Sequence, residues 1–185
     1  MTSRIVTICL CICLSLALIG CAKGPTKGPK RLKVGDTAPP FVLTSIWGGE
    51  EFNASRTFQD NTATVIIIWS MACPTCREGL AECERVYEQY GAKGIAFCGI
   101  NFDTENIQGV KTFLKGEGIR FTNLWDPRSR VTRSYRALDY TFSIFVVGRG
   151  ANLVLVQYDH PPDLATILSE TLDRMMADEF KGKTK

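Results

Sequence analysis

The sequence predicts an α/β sandwich, a central mixed sheet flanked by helices and preceded by an N-terminal hairpin extension. Three observations predict it. Ala63 to Trp69 reads Ala-Thr-Val-Ile-Ile-Ile-Trp, a β-branched run of strand length that is apolar on both faces, as expected of a strand covered on both sides. Around it, strand-period and helix-period apolar patterns alternate, as in layered α/β domains. Near the C-terminus, Phe142–Val147 and Leu153–Tyr158 are strand-like runs joined by Gly148-Arg149-Gly150-Ala151-Asn152, which reads as a hairpin.

The elements follow in order. Phe41 to Ile46 alternates weakly and reads as a short strand, with Gly48-Gly49 as a turn. After the Ala63–Trp69 strand, Pro74 to Tyr90 reads as a helix. Cys76, Leu80, Cys83, Val86, Tyr87 and Tyr90 recur on one of its faces. Gly94 to Ile100 is a second strand. Asp103 or Thr104 is placed to cap a helix whose buried stripe is Ile107, Val110, Phe113 and Leu114. A short strand at Phe121–Leu124 and a short helix at Ser129–Tyr135 follow. Beyond the C-terminal hairpin, Pro161 to Met176 is the last helix, with proline at its start and Leu164, Ile167, Leu168, Leu172 and Met175 on one face.

Bulk properties bound the function. The chain has 185 residues, 45% apolar and 22% charged, a globular composition for one domain of ordinary size. A net charge of +3 with no concentrated basic patch argues against nucleic-acid binding. The N-terminus reads as an address. Arg4 precedes an apolar run, Ile5 to Ile19, shorter than the roughly 20 residues a bilayer span needs. Residues 1–20 are therefore expected to be a signal peptide, with an uncleaved anchor as the alternative. Either places the domain outside the cytoplasm. Residues 21–31, rich in Lys, Gly and Pro, read as a flexible tether, 32–178 as the folded domain and 179–185 as a polar tail.

Of eight cysteines, Cys9, Cys11 and Cys13 lie in the leading apolar run and Cys21 ends it. Cys73, Cys76, Cys83 and Cys98 fall in the domain, too few and too unevenly spaced for a disulfide framework. The chemistry sits in Trp69-Ser70-Met71-Ala72-Cys73-Pro74-Thr75-Cys76-Arg77, at a strand-to-helix junction. A Cys-X-X-Cys pair at a helix start brings two sulfurs within disulfide range. The first lies near unsatisfied helix N–H groups and the positive end of the dipole, which favour the nucleophilic thiolate. Pro74 suits a first helical position, and Pro74 with Thr75 tunes the reduction potential.

These motifs resemble the TlpA-like branch of the thioredoxin superfamily, from about Leu32 to Met176. Val34-Gly35-Asp36-Thr37-Ala38-Pro39-Pro40-Phe41 resembles that branch's opening segment. The tryptophan ahead of the first cysteine, the Cys-Pro-X-Cys-Arg core and Asn101-Phe102-Asp103 also match. Leu18-Ile19-Gly20-Cys21 resembles a bacterial lipobox, implying that Cys21 is lipidated and anchors an extracytoplasmic lipoprotein. The resemblance implies a thioredoxin-like fold and thiol–disulfide exchange without a cofactor beyond a redox-active Cys73–Cys76 disulfide. Cys73 would attack and Cys76 resolve. Trp69, Pro74, Thr75, Thr141 and Phe142 would neighbour the site. The partners implied are protein thiols or disulfides, including those of apocytochrome c, and an upstream electron donor in the membrane.

Three positions depart from the family pattern. Phe142 stands where the family has a cis-proline, and a cis bond before a non-proline residue costs about 3–4 kcal/mol, so a trans bond is expected. Gly79 replaces a frequent glutamate three residues after the second cysteine, with Glu78 one residue off. Ile67 aligns with a buried acid used for proton transfer. The lost proline, which shields the sulfurs from metals, leaves open a metal- or partner-binding module. Ser70, three residues before Cys73, leaves open a peroxiredoxin-like thiol peroxidase.

The remaining candidates have blander readings. A structural zinc site needs four ligands, while His160 is the only histidine and no second Cys-X-X-Cys occurs, so no metal ligands are assigned. Cys83, seven residues beyond Cys76 and about 10.5 Å along the helix, is too far to pair with it and is expected in the core, as is Cys98. His160 reads as a loop residue. Trp47 and Trp125 read as packing, and Trp69 as a wall of the site.

Overall fold

Everything is arranged around one strand. Ala63–Trp69 (β3) has every residue buried, as its uninterrupted apolar run requires. In the computed structural model, which describes residues 30–49, 51–140 and 142–183, β3 pairs in parallel with Ile95–Asn101 (β4) and antiparallel with Phe142–Gly148 (β6). Thr122–Trp125 (β5) extends the sheet in parallel beyond β4, and Leu153–Tyr158 (β7) closes the other side antiparallel to β6. The order β5-β4-β3-β6-β7 is the expected mixed sheet. The N-terminal hairpin is present as Val42–Thr44 (β1) against Glu51–Asn53 (β2). Gly48 and Gly49 turn it with φ of +85° and +88°, a region glycine enters without steric cost.

Successive residues of β3 face opposite ways and meet different helices. Val65, Ile67 and Trp69 join a core with Leu80, Cys83 and Val86 of helix Cys76–Tyr90 (α2). Val110 and Leu114 of Ile107–Gly116 (α3) and Leu164, Leu168 and Leu172 of Leu164–Lys183 (α5) complete that core. Ile66 and Ile68 face a second core with Ala54 and Phe58 of Ala54–Asp60 (α1) and Val131 of Arg130–Ser134 (α4). No apolar stripe marks α1 in the sequence, because its buried side chains are only Ala54 and Phe58.

Boundaries differ from expectation where side chains cap or tie them. Helix α2 begins at Cys76, with Pro74 and Thr75 in the turn before it, so Pro74 is not at its first position. Helix α3 is capped by Asn106, whose carboxamide accepts from the Gly109 N–H at 3.0 Å. Asp103 and Thr104, the expected caps, lie outside it, and the Asp103 carboxylate is bound elsewhere. Helix α5 starts at Leu164 rather than Pro161 and continues to Lys183, through most of the expected polar tail. Its last turns are secured by Glu179, which accepts from Thr62 Oγ1 and pairs with Arg149 at 3.0 Å. The described residues from Arg31 onward form one compact unit. Arg31 lies over the rings of Tyr140 and Tyr158, 4.7 and 5.5 Å from their centroids. The expected signal peptide, Cys21, nearly all of the tether and Thr141 lie outside the described residues. No helix among the described residues is long and apolar enough to cross a membrane.

Candidate active site

Strand β3 delivers Trp69 fully buried at its C-terminal end, and the chain then turns through Ser70–Thr75 into α2. Cys73 and Cys76 form a disulfide across this junction, with Cα atoms 5.3 Å apart. Cys73 is 5% exposed and Cys76 2%, so the bond lies just under the surface while Met71, Ala72, Pro74 and Thr75 around it are exposed. The Thr75 hydroxyl lies 3.4 Å from Cys73 Sγ. Trp69 shares a core cluster with both cysteines, and its indole N–H donates to Asn123 Oδ1 at 3.1 Å.

One flank of the disulfide is polar. Asp103, just past β4, accepts from Ser70 Oγ at 2.5 Å, from the Met71 N–H at 2.8 Å and from Asn101 Nδ2 at 2.8 Å. Ser70 Oγ in turn accepts from the Ala72 N–H at 3.1 Å, and the Cys73 N–H donates to the Ser70 carbonyl at 3.3 Å. Trp125, expected only to pack, donates its indole N–H to the Asp103 carbonyl at 3.0 Å. The Asn101-Phe102-Asp103 motif was visible in the sequence. Its bond to the turn was not, since it joins residues 32 and 33 positions apart.

The other flank is aromatic. Phe142 opens β6 opposite Trp69 and is 1% exposed. Its ring rests on α2 at Gly79, where an added Cβ would stand only 2.5 Å from the ring's Cζ. The two departures from the family pattern are therefore one: the ring occupies the space that any side chain at position 79 would need. The imidazole of His160 meets the Phe142 ring edge-on, centroids 5.6 Å apart. Its Nε2 is 3.6 Å from Glu82 Oε1, and Glu82 Oε2 accepts from the Ala165 N–H at 3.1 Å near the start of α5. His160 is thus a packing partner of this flank as well as a loop residue, a role that no local sequence signal marks. No cis peptide bond occurs among the described residues. The bond before Phe142 involves Thr141 and lies outside them.

The remaining assignments fall where expected or apart from the site. Cys83 and Cys98 are fully buried in the two different cores, and burial pushes both thiols far up from their ordinary range. Glu78 is exposed. Trp47 is not core: it is 46% exposed, with the ammonium groups of Lys111 and Lys115 over its ring. Among the described residues, no group of three or more His, Cys, Asp or Glu side chains is arranged to hold a metal ion.

Comparison with known proteins gives the frame for this geometry. A family model described as the AhpC/TSA family matches residues 34–168. No curated protein sequence matches. Among solved structures, a candidate thiol:disulfide interchange protein DsbE from Chlorobium tepidum is 22% identical, with a TM-score of 0.69 over 78% of this chain and 98% of its own. The thioredoxin domain of a thiol–disulfide oxidoreductase from Bacteroides vulgatus is 17% identical, with a TM-score of 0.64 over 75% of this chain and 97% of its own. StoA from Bacillus subtilis is 18% identical, with a TM-score of 0.61 over 73% and 97%. At these identities the likeness is one of fold, and that fold is thioredoxin-like.

Proposed function

The chain belongs to the AhpC/TSA family, and from that premise we propose that it is a membrane-tethered, extracytoplasmic thiol–disulfide oxidoreductase that reduces disulfides in partner proteins. The observation that carries this is the Cys73–Cys76 disulfide at the loop–helix junction, lightly covered and beside the Thr75 hydroxyl. In the reduced protein the Cys73 thiolate attacks one sulfur of the partner disulfide. A mixed disulfide forms and one partner thiolate leaves, taking a proton from solvent. Cys76, as thiolate, then attacks the Cys73 sulfur. That restores the Cys73–Cys76 disulfide and releases the second partner thiol, two electrons having passed to the partner. A dithiol donor in the membrane reduces the pair again. Lipid on Cys21, with residues 1–20 removed, would hold the domain at the membrane, and apocytochrome c is the substrate class the TlpA-like resemblance favours. Trp69, Pro74, Thr75 and Phe142 would border the exchange.

Ser70 weighs against the peroxidase alternative. Its hydroxyl donates to Asp103 and accepts from the Ala72 N–H, so it is committed to the turn. Insulin reduction run beside peroxide consumption tests the two readings. Turnover of insulin with no rapid peroxide loss is expected, and the reverse pattern would replace the reductase by a peroxidase. Cys76→Ser should accumulate mixed disulfides through Cys73, and Cys73→Ser should trap none. Mass spectrometry of the membrane fraction should show a mature chain beginning at an acylated Cys21; an intact Met1 there would end the lipoprotein reading.

A further inference from the structure

The turn that presents Cys73 is held from outside itself. Its N–H groups at Met71, Ala72 and Cys73 are all bonded: to Asp103 Oδ2 at 2.8 Å, to Ser70 Oγ at 3.1 Å and to the Ser70 carbonyl at 3.3 Å. The Ser70 hydroxyl that receives Ala72 is itself aimed by Asp103 Oδ1, 2.5 Å away. Asp103 has its own fixed base. Asn101, fully buried at the end of β4, donates to Oδ2 at 2.8 Å and accepts the Asp103 N–H at 3.3 Å. Trp125, paired with Asn101 across β4 and β5, donates to the Asp103 carbonyl at 3.0 Å. A rigid sheet edge is thereby joined, through one carboxylate, to the loop that places the reactive sulfur.

We propose that Asp103 is a positioning residue that sets the reactivity of Cys73 by pinning the Ser70–Cys73 turn to the end of the sheet. This rests on the reading of Cys73 as the attacking thiol. The thiolate gains from the N-terminal end of α2 only while the sulfur is held beside it, because the dipole effect falls off within a turn. A carboxylate is the group the position demands: both oxygens accept, and Oδ2 takes two donors. A carboxamide has one acceptor oxygen and a donor in place of the other. It would meet one of these N–H or O–H groups donor to donor.

The charge of Asp103 and its positioning act in opposite directions, which makes the proposal testable by sign. A carboxylate acting only as nearby negative charge disfavours the Cys73 thiolate, so neutralising it would lower the thiol pKa. A pinning role requires the pKa to rise when the pin is lost. The experiment follows iodoacetamide alkylation of reduced full-length protein against pH, in a Cys76→Ser background so that Cys73 reports alone. Asp103→Asn should raise the Cys73 pKa by about one pH unit and lower the thiolate fraction near neutrality about tenfold. Ser70→Ala, which keeps the carboxylate, should shift it the same way by less, and should add little on top of Asp103→Asn, as members of one network do. Cys76 is absent from every variant in this background. Arg77, Glu78 and Glu82 on α2, Glu105 before α3 and His160 beyond β7 are common to all, so the difference reads the clamp.

A fall in pKa, or an unchanged pKa with only a lower melting temperature, would overturn the proposal. If Asp103→Asn fails to fold, Ser70→Ala decides alone, and an unchanged pKa there overturns it. Alkylation needs no partner disulfide. A shifted pKa in a protein that reduces no insulin would remove the proposed function and leave the clamp standing.

Discussion

Cys73 and Cys83 lie ten residues apart in the sequence, on one turn-and-helix segment, yet their surroundings give them opposite chemistry. Cys73 sits before α2 begins, in a turn tied by Asp103 and bordered by exposed residues. Cys83 is on the inner face of that helix, fully buried, with its thiol pushed up first by burial and then by Glu82 and Glu84 beside it. Cys98 on the opposite face of the sheet repeats the pattern with burial as its sole cause. Two or three helical turns thus separate a sulfur available for exchange from one that packs like a small apolar side chain. On the aromatic flank the ring of Phe142 packs on α2 at Gly79, between the two positions in sequence, and shares one core cluster with Cys73, Cys76 and Cys83.

The strongest way to break the contrast is to remove that ring. Phe142→Ala leaves a cavity against Gly79 and His160 and should cost about 3–5 kcal/mol in denaturant unfolding, the range for large-to-small core substitutions. The disulfide should also be reduced faster by dithiothreitol, because its inner side loses its cover. Unchanged stability would show that the flank collapses to fill the space. A smaller effect is expected from the other side of the contact. Gly79→Ala gains up to about 1 kcal/mol of helix propensity. It also forces a Cβ to within 2.5 Å of the Phe142 ring, and overpacking of that kind costs about 1–3 kcal/mol. A net loss should appear in thermal melts and be recovered by adding Phe142→Leu. A Gly79→Ala protein as stable as the parent would mean that the ring moves aside freely, and the two positions would not be coupled.

These residues also show where sequence reading stops. The sheet was legible because β3, β6 and β7 carry apolar, β-branched runs of strand length, the last two joined through Gly148 and Gly150, and the Cys-X-X-Cys junction because strand and helix periods meet there. The fit of Phe142 to Gly79 was not legible. Each position could be seen to depart from the family pattern, but only packing shows that one departure makes room for the other. Asp103 or Thr104 is the expected helix cap for a sound local reason, since Asp, Asn, Ser and Thr all cap helices. Asn106 took the cap because Asp103 was engaged more than thirty residues back, at Ser70 and Met71. Tertiary bonds to the side chain overrode local propensity, and nothing within a short window encodes them. The last helix ran past its apolar stripe for a similar reason: Glu179 reaches Arg149 and Thr62 on other elements.

The smallest expected effect tests the buried half of the contrast directly. Cys83 and Cys98 have folded-state pKa values raised far above their ordinary 9.0. A thiol raised in this way leaves stability intact below its unfolded-state pKa and costs stability as pH climbs through it, because the unfolded chain can ionise where the folded one cannot. Each should therefore add a loss of up to about 1.4 kcal/mol per pH unit to unfolding stability above pH 9. Tyr135, also raised by burial from its ordinary 10.0, joins above pH 10. Between pH 9 and 10 the slope belongs mainly to the two thiols. A Cys83→Ala, Cys98→Ala double variant should lose stability overall, since both sites are packed, but its stability should fall less steeply across that window than the parent's. Insulin reduction should survive in it, because neither sulfur takes part in exchange. If the slopes match, these thiols ionise inside the folded protein, and the line drawn between Cys73 and Cys83 is one of position alone. If exchange is lost while the fold persists, one of the buried thiols belongs to the chemistry after all.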